Sequence, residues 1–195
     1  ADNTIVVFTS DHGDNMADHN LVYKWLMTEQ VTRVPMMVFL PGKLNRSAID
    51  SRLFTQLDVG PTLLDICGIN PVNKLDGKSN KSRLVDGSKE NVPEAVYCFK
   101  NYMTMMRTET EKVVNYAGQS YGEYYDLIQD PIERYNRYDE LRDKANRLEA
   151  GMYSYMNSLR FLGTDQPYSH SFGEPIRMRT RLYPQHLPDD PYRLH

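Results

Sequence analysis

The chain has 195 residues, 40% of them hydrophobic and 25% charged, which suits one substantial core or a core plus a smaller layer. A net charge of -3 supplies no global positive field for nucleic acid or an anionic membrane, so any anion must be recognised by a few local cations. The longest apolar stretch, Met36–Leu40, falls far short of the roughly 20 residues of a spanning helix, and residues 1–20 do not read as a signal peptide.

Ile5-Val6-Val7-Phe8 is β-branched and aromatic throughout and predicts a buried parallel strand. The polar turn Thr9-Ser10-Asp11-His12-Gly13-Asp14 follows at its C-terminal end, the edge where open α/β sheets bind ligands. Residues 15–33 are polar and irregular. Pro35 then introduces a second strand, Met36–Leu40, closed by Pro41-Gly42. A helix is expected over Val59–Cys67, with Asp58 as cap, Pro61 in the first turn and Gly68 as stop. Residues 70–93, rich in Asn, Lys, Ser and Gly, read as a surface loop.

Ala95–Lys100, Tyr102–Thr108, Lys112–Tyr116 and Glu123–Leu127 are short, aromatic-rich and separated by polar turns, the pattern of an antiparallel sheet. From Asp139 to Leu162 the apolar positions fall three or four apart, predicting an amphipathic helix that packs on that sheet. The fold class is therefore α/β, with domain limits expected at 1–93, 94–163 and an extended Pro-rich tail at 164–195. Cys67 and Cys98 have no metal-ligand spacing and read as small buried apolar residues, which leaves the redox compartment open.

Asp11 and His12, a carboxylate and an imidazole on a rigid strand end, make half of a divalent-cation site. By themselves they are more often a plain turn. Lys24 is a solvated charge unless it points at the same cation-bound anion.

The run Phe8–Asp14, then Ala17-Asp18-His19, Leu21 and Tyr23-Lys24, resembles the late active-site segment of the sulfatases, in the alkaline phosphatase superfamily. The resemblance continues in order through Glu29, Arg33-Val34-Pro35-Met36, Leu57–Ile69 with its Asp58…Pro61-Thr62-Leu63-Leu64 core, Asp76-Gly77-Lys78-Ser79, Met106-Arg107-Thr108 with Lys112, and Tyr124–Leu127 with Asp130-Pro131 and Glu133. It implies the C-terminal part of an alkaline-phosphatase-like sheet domain, followed by a small antiparallel sheet with one long packing helix. It also implies Asp11 and His12 as ligands of one divalent metal, calcium first, with manganese, magnesium or zinc as alternatives. Lys24 would contact an oxygen of a sulfate or phosphate group, and His19 would join it in the pocket. Asn15-Met16 and Asn20 depart from the family pattern and leave the substrate-side contacts open.

The formylglycine nucleophile of the family arises in a C/S-x-P-x-R motif. Neither Cys67-Gly68-Ile69-Asn70-Pro71 nor Cys98-Phe99-Lys100 fits it, so the nucleophile and two acidic ligands are expected in an N-terminal portion of the same enzyme. The expected partners are that portion and a small anionic ester, with no nucleic acid or membrane and with a homo-oligomer through the tail left open. A phosphonate or phosphate ester hydrolase and a non-catalytic sulfatase-like module are the alternative functions. The compartment is unknown.

Overall fold

Strand β1 (Val6–Thr9) pairs with β2 (Met36–Phe39), Val6 opposite Phe39 and Thr9 opposite Met36. This pairing is antiparallel, which corrects the parallel reading. A β-branched run fits either ladder, and strand direction follows from the chain's return through residues 10–35. The strands are also less buried than expected, with Val6 at 52% and Phe8 at 55% exposure and Met37 and Phe39 both at 62%. The computed structural model describes residues 3–42, 44 and 49–159. The Pro-rich tail of 164–195 lies outside the described residues, as does Leu162. Those up to Asn157 belong to one compact unit.

Four strands, β3 (Ala95–Lys100), β4 (Met103–Thr108), β5 (Glu111–Tyr116) and β6 (Gly122–Asp126), form the expected antiparallel sheet in chain order. Adjacent residues of a strand point to opposite faces, and both Val113 and Val114 on β5 are fully buried, so this sheet is covered on both sides. One face gathers Val113, Tyr124 and Tyr138 with Ala145 and Leu148 of the helix α4 (Arg142–Ser158), whose apolar stripe packs as predicted. The other face gathers Met103, Met105, Val114 and Tyr116 around Met27, three residues beyond Lys24. Burying Met27, 2% exposed, contributes about 1.5–3 kcal/mol and anchors the segment that carries the lysine.

Helix α2 (Val59–Cys67) begins and ends where the sequence places it, with Gly68 in the left-handed region at φ 71°. Asp58 does not cap it. Its buried carboxylate instead accepts from Lys78 N at 2.8 Å and Asn80 Nδ2 at 3.0 Å. Thr62 Oγ1 accepts from Asn80 N at 2.9 Å and donates to Asp58 O at 2.6 Å. The Asp58…Thr62 pattern and the Asp76-Gly77-Lys78-Ser79 turn are thus two halves of one buried hydrogen-bond unit. Gly77 is obligatory there, because a Cβ would stand 1.9 Å from Leu57 O. Residues 70–93 are not simply a loop. They contain a short helix, α3 (Lys81–Asp86), held by Arg83, whose guanidinium reaches Leu53 O at 2.9 Å, Asn80 Oδ1 at 3.0 Å and Asp50 Oδ2 at 3.0 Å. A single satisfied buried arginine does what an apolar stripe does in longer helices, and composition does not show it. Cys67 is exposed rather than buried, and Cys98 is half-buried with its thiol pushed up by burial. No helix among the described residues is long and apolar enough to cross a membrane.

Asp58→Ala would strand the partly buried Lys78 N–H and leave Asn80 Nδ2 only its 3.2 Å contact with Lys78 O, so at about 1–3 kcal/mol for an unmet donor urea unfolding should show a loss of about 2 kcal/mol. Asp50 is held well below the usual carboxylate range, first by the Arg52 side chain and then by Arg83. A depressed pKa contributes stability above the unfolded value, near 3.9, that is lost as pH falls through the folded one. Wild type and Asp50→Asn should therefore differ in stability at neutral pH and converge in acid, as read by denaturation at a series of pH values.

Candidate active site at the end of the first strand

Beyond Thr9 the chain leaves β1 in a turn closed by its own side chains. Ser10 Oγ donates to His12 O at 2.7 Å, and His12 N donates to Asp11 Oδ1 at 3.0 Å. Gln56, ahead of α2, donates its amide to the Ser10 carbonyl and, at 3.4 Å, to that of Asp11. The Asp11 carboxylate stands largely in solvent, 83% exposed. The hydrogen bond from the His12 backbone holds its carboxyl below the ordinary range, with the charge of Lys24 adding to the effect.

The structure brings three of the four sequence-derived candidates together. Lys24 Nζ lies 2.5 Å from His12 Nε2, and that nitrogen lies 3.3 Å from Asp11 Oδ2. His12 Nδ1 is 2.7 Å from Gly13 O, a partner that requires the ring proton on Nδ1. Nε2 then carries the lone pair, accepts from Lys24, and is the atom able to ligate a cation. The donor set fits a divalent metal: one ionised carboxylate and one imidazole nitrogen, oriented from behind by a carbonyl. Two donors are half of such a site. Among the described residues no three His, Cys, Asp or Glu side chains converge into a fuller one. His19 sits apart, in the 3-10 turn Asp18–Asn20, with no hydrogen bond or ion pair to the other three.

Several residues that position the site escaped sequence reasoning. Buried Asn15 donates to Tyr23 O at 2.8 Å and accepts from Thr28 Oγ1 at 2.7 Å, closing the loop between them. Asp14 Oδ1 accepts from Met16 N at 2.9 Å and Tyr23 N at 3.2 Å. Inside this frame Met16, Ala17, His19, Asn20 and Tyr23 all adopt positive φ, five non-glycine residues in eight positions. Such geometry persists only where surrounding contacts over-determine it. Lys100 on β3 reaches across to donate to Lys24 O at 2.5 Å, and its ammonium lies 4.5 Å over the Trp25 ring. Asn15 stood out in the sequence only as a departure from the family pattern. Lys100 carried no signal, because 76 residues separate it from its partner. The apolar groove of about 570 Å³ lined by Leu57, Leu63, Leu64 and Leu75 contains none of these residues.

The family of N-sulphoglucosamine sulphohydrolase C-terminal regions matches residues 17–160. Arylsulfatase K of Gallus gallus is 30% identical over 180 residues, covering 85% of this chain and 34% of that protein. The Delta 4,5-hexuronate-2-O-sulfatase of Bacteroides thetaiotaomicron is 35% identical over 146 residues, covering 69% of this chain and 30% of that protein. The chain thus spans about a third of the length of these curated relatives. Among solved structures, the phosphonate monoester hydrolase of Agrobacterium radiobacter superposes with a TM-score of 0.69 at 27% identity, covering 80% of this chain and 35% of that one. With its strand-end turn, four-stranded sheet and packing helix, the chain belongs to the sulfatase family, over that family's C-terminal region.

Proposed function

We propose that this chain supplies the C-terminal share of the active site of a metal-dependent hydrolase of sulfuric esters. The observation that carries the reading is the convergence of the Asp11 carboxylate, His12 Nε2 and Lys24 Nζ at the C-terminal end of β1. Asp11 and His12 would hold one divalent cation, calcium first, with manganese, magnesium or zinc as alternatives. When bound, the cation polarises the anionic group. Lys24 would neutralise charge on a sulfate oxygen as the ester bond breaks, and His19, which makes no hydrogen bond or ion pair with the other three, would only line the pocket. The Gly13 carbonyl accepts from His12 Nδ1, which orients the neutral ring with the Nε2 lone pair toward the place the cation would take.

The nucleophile, a formylglycine, and the remaining acidic ligands are assigned to an N-terminal portion of the same enzyme. That portion is also our choice to cover the exposed face of Val6, Phe8, Met37 and Phe39. The substrate is a small anionic ester. A phosphonate or phosphate ester is the second reading, favoured by the likeness to the phosphonate monoester hydrolase. A non-catalytic module is the third, and it requires that the complete protein lack turnover on either class of ester.

Lys24→Ala and His12→Ala should fail differently in the complete enzyme. Loss of His12 should lower metal content, and added metal should restore part of the activity. Loss of Lys24 should leave metal content intact while turnover falls about 10²–10³-fold, or about 2.7–4 kcal/mol, the usual effect of removing one donor to developing charge. Metal analysis beside steady-state kinetics separates the two. Near-normal turnover of Lys24→Ala would make it a solvated side chain. The 195-residue chain by itself should bind divalent metal weakly and hydrolyse no aryl sulfate or phosphonate, since two ligands rarely make a tight site. Metal-dependent turnover by that chain at an ordinary enzyme rate would show that the site is complete within it.

A further inference from the structure

Four charged residues from distant parts of the chain meet beneath the candidate site. Lys112 of β5 and Glu133 are both fully buried, with Nζ 2.7 Å from Glu133 Oε1. The same ammonium lies 3.3 Å from Glu29 Oε1, and the Arg107 guanidinium of β4 grips both Glu29 oxygens at 3.3 Å. Glu29 opens the four-residue helix α1 (Glu29–Thr32), and its backbone N–H donates to Glu133 Oε2 at 2.6 Å. Glu133 adopts φ 57° to bring its carboxylate there, a strained conformation for a non-glycine residue. Burial raises both carboxyls. In Glu29 the charges of Lys112 and Arg107 outweigh it, and in Glu133 burial prevails.

Two cations and two carboxylates balance, so this cluster is a poor source of net stability. Replacing a buried ion pair by apolar residues of similar volume is often neutral or stabilising. What the cluster does hold is the position of α1, a single turn too short to be stable by itself. From α1 the constraint passes to the site by contact. Val31 O accepts from Gly13 N at 2.8 Å, and a Cβ on Gly13 would stand 1.9 Å from Gln30 O. Thr28, just ahead of α1, donates to Asn15 at 2.7 Å.

We propose that the Lys112–Glu133–Glu29–Arg107 cluster sets the position of the Asp11–His12 turn through α1 and Gly13, making Lys112 and Glu133 positioning residues for the cation. The cation itself rests on the function proposed above. The positioning role does not, because it can be read in metal-free protein.

The test uses the complete protein carrying Lys112→Met with Glu133→Leu, which removes one charge of each sign and leaves the Arg107–Glu29 pair balanced. Three quantities are measured: amide exchange of the metal-free protein, calcium affinity by titration, and the melting temperature. The expected result is at least tenfold faster exchange at Gly13 and its neighbours, at least tenfold weaker calcium binding, and little change in melting temperature or in exchange across β4 and β5. A folded double variant with unchanged Gly13 exchange overturns the proposal. So does loss of exchange protection spread evenly over the small sheet, the signature of a merely structural role. If the double variant does not fold, Glu133→Gln keeps the acceptor for Glu29 N–H and drops the charge. It should speed Gly13 exchange and weaken calcium binding severalfold, and no change in Gly13 exchange again overturns the proposal. His12→Ala is the control for the metal reading. If wild type binds neither calcium nor manganese, magnesium or zinc, or His12→Ala binds the metal equally well, the metal assignment fails, while Gly13 exchange still decides the positioning role.

Discussion

The candidate site depends on one close approach, the single turn of α1 laid against the backbone of Gly13. The Gly13 N–H closes on Val31 O at 2.8 Å, and the neighbouring Gln30 carbonyl occupies the space a side chain would need. A backbone oxygen cannot swing aside as a flexible side chain can, so glycine is required here by sterics, although its φ is not in the left-handed region. With Gly13 fixed, its own carbonyl orients the His12 ring, and the ring orientation decides which nitrogen faces Asp11 and Lys24. A main-chain contact thereby selects the tautomer of a candidate ligand.

Stability and position come from different chemistry in this fold. The small sheet is held by apolar burial on both faces, where Val113, Val114, Tyr124 and Met152 are fully enclosed. Each such side chain contributes about 1.5–3 kcal/mol. The ion cluster lies within the same layer yet yields little net energy, because desolvation of its charges offsets their attraction. Its directional contacts do something burial cannot. Apolar packing tolerates small slips, whereas a carboxylate that must meet both Lys112 Nζ and the Glu29 N–H has one acceptable placement.

The small sheet and α4 were legible in the sequence because their signals are local: short aromatic-rich runs, polar turns, and an apolar stripe three or four apart. The ends of α2 were legible for the same reason. Three features were not. The direction of β1 relative to β2 depends on the chain's path between them, and Ile5–Phe8 is equally content in either ladder. Helix α3 was hidden because its anchor is Arg83, a residue type that composition assigns to the surface. Asp58 looked like a cap because it stands where caps stand, but its carboxylate is taken by donors 20 and 22 residues on. Asp11, His12 and Lys24 stood out through the resemblance to the sulfatase motifs and their order, as did Arg107, Lys112 and Glu133. That these three converge on Glu29 is a tertiary fact, with 78 to 104 residues between the partners.

Lys24 shows how a site can be rigid in its frame and mobile in its reagent. Its backbone is held at its carbonyl by Lys100, at the preceding Tyr23 by Asn15 and Asp14, and three residues on by Met27 inside the sheet core. Its side chain, by contrast, runs exposed toward His12 Nε2. An arginine fork would favour one planar partner. A lysine ammonium is a point charge on a flexible stem that can exchange one acceptor for another. If a cation takes His12 Nε2, Lys24 must give up that nitrogen, and the nearest anionic oxygens would then be those of the group the cation holds. Under the proposed function, metal binding and anion binding by Lys24 would be coupled by competition for one lone pair.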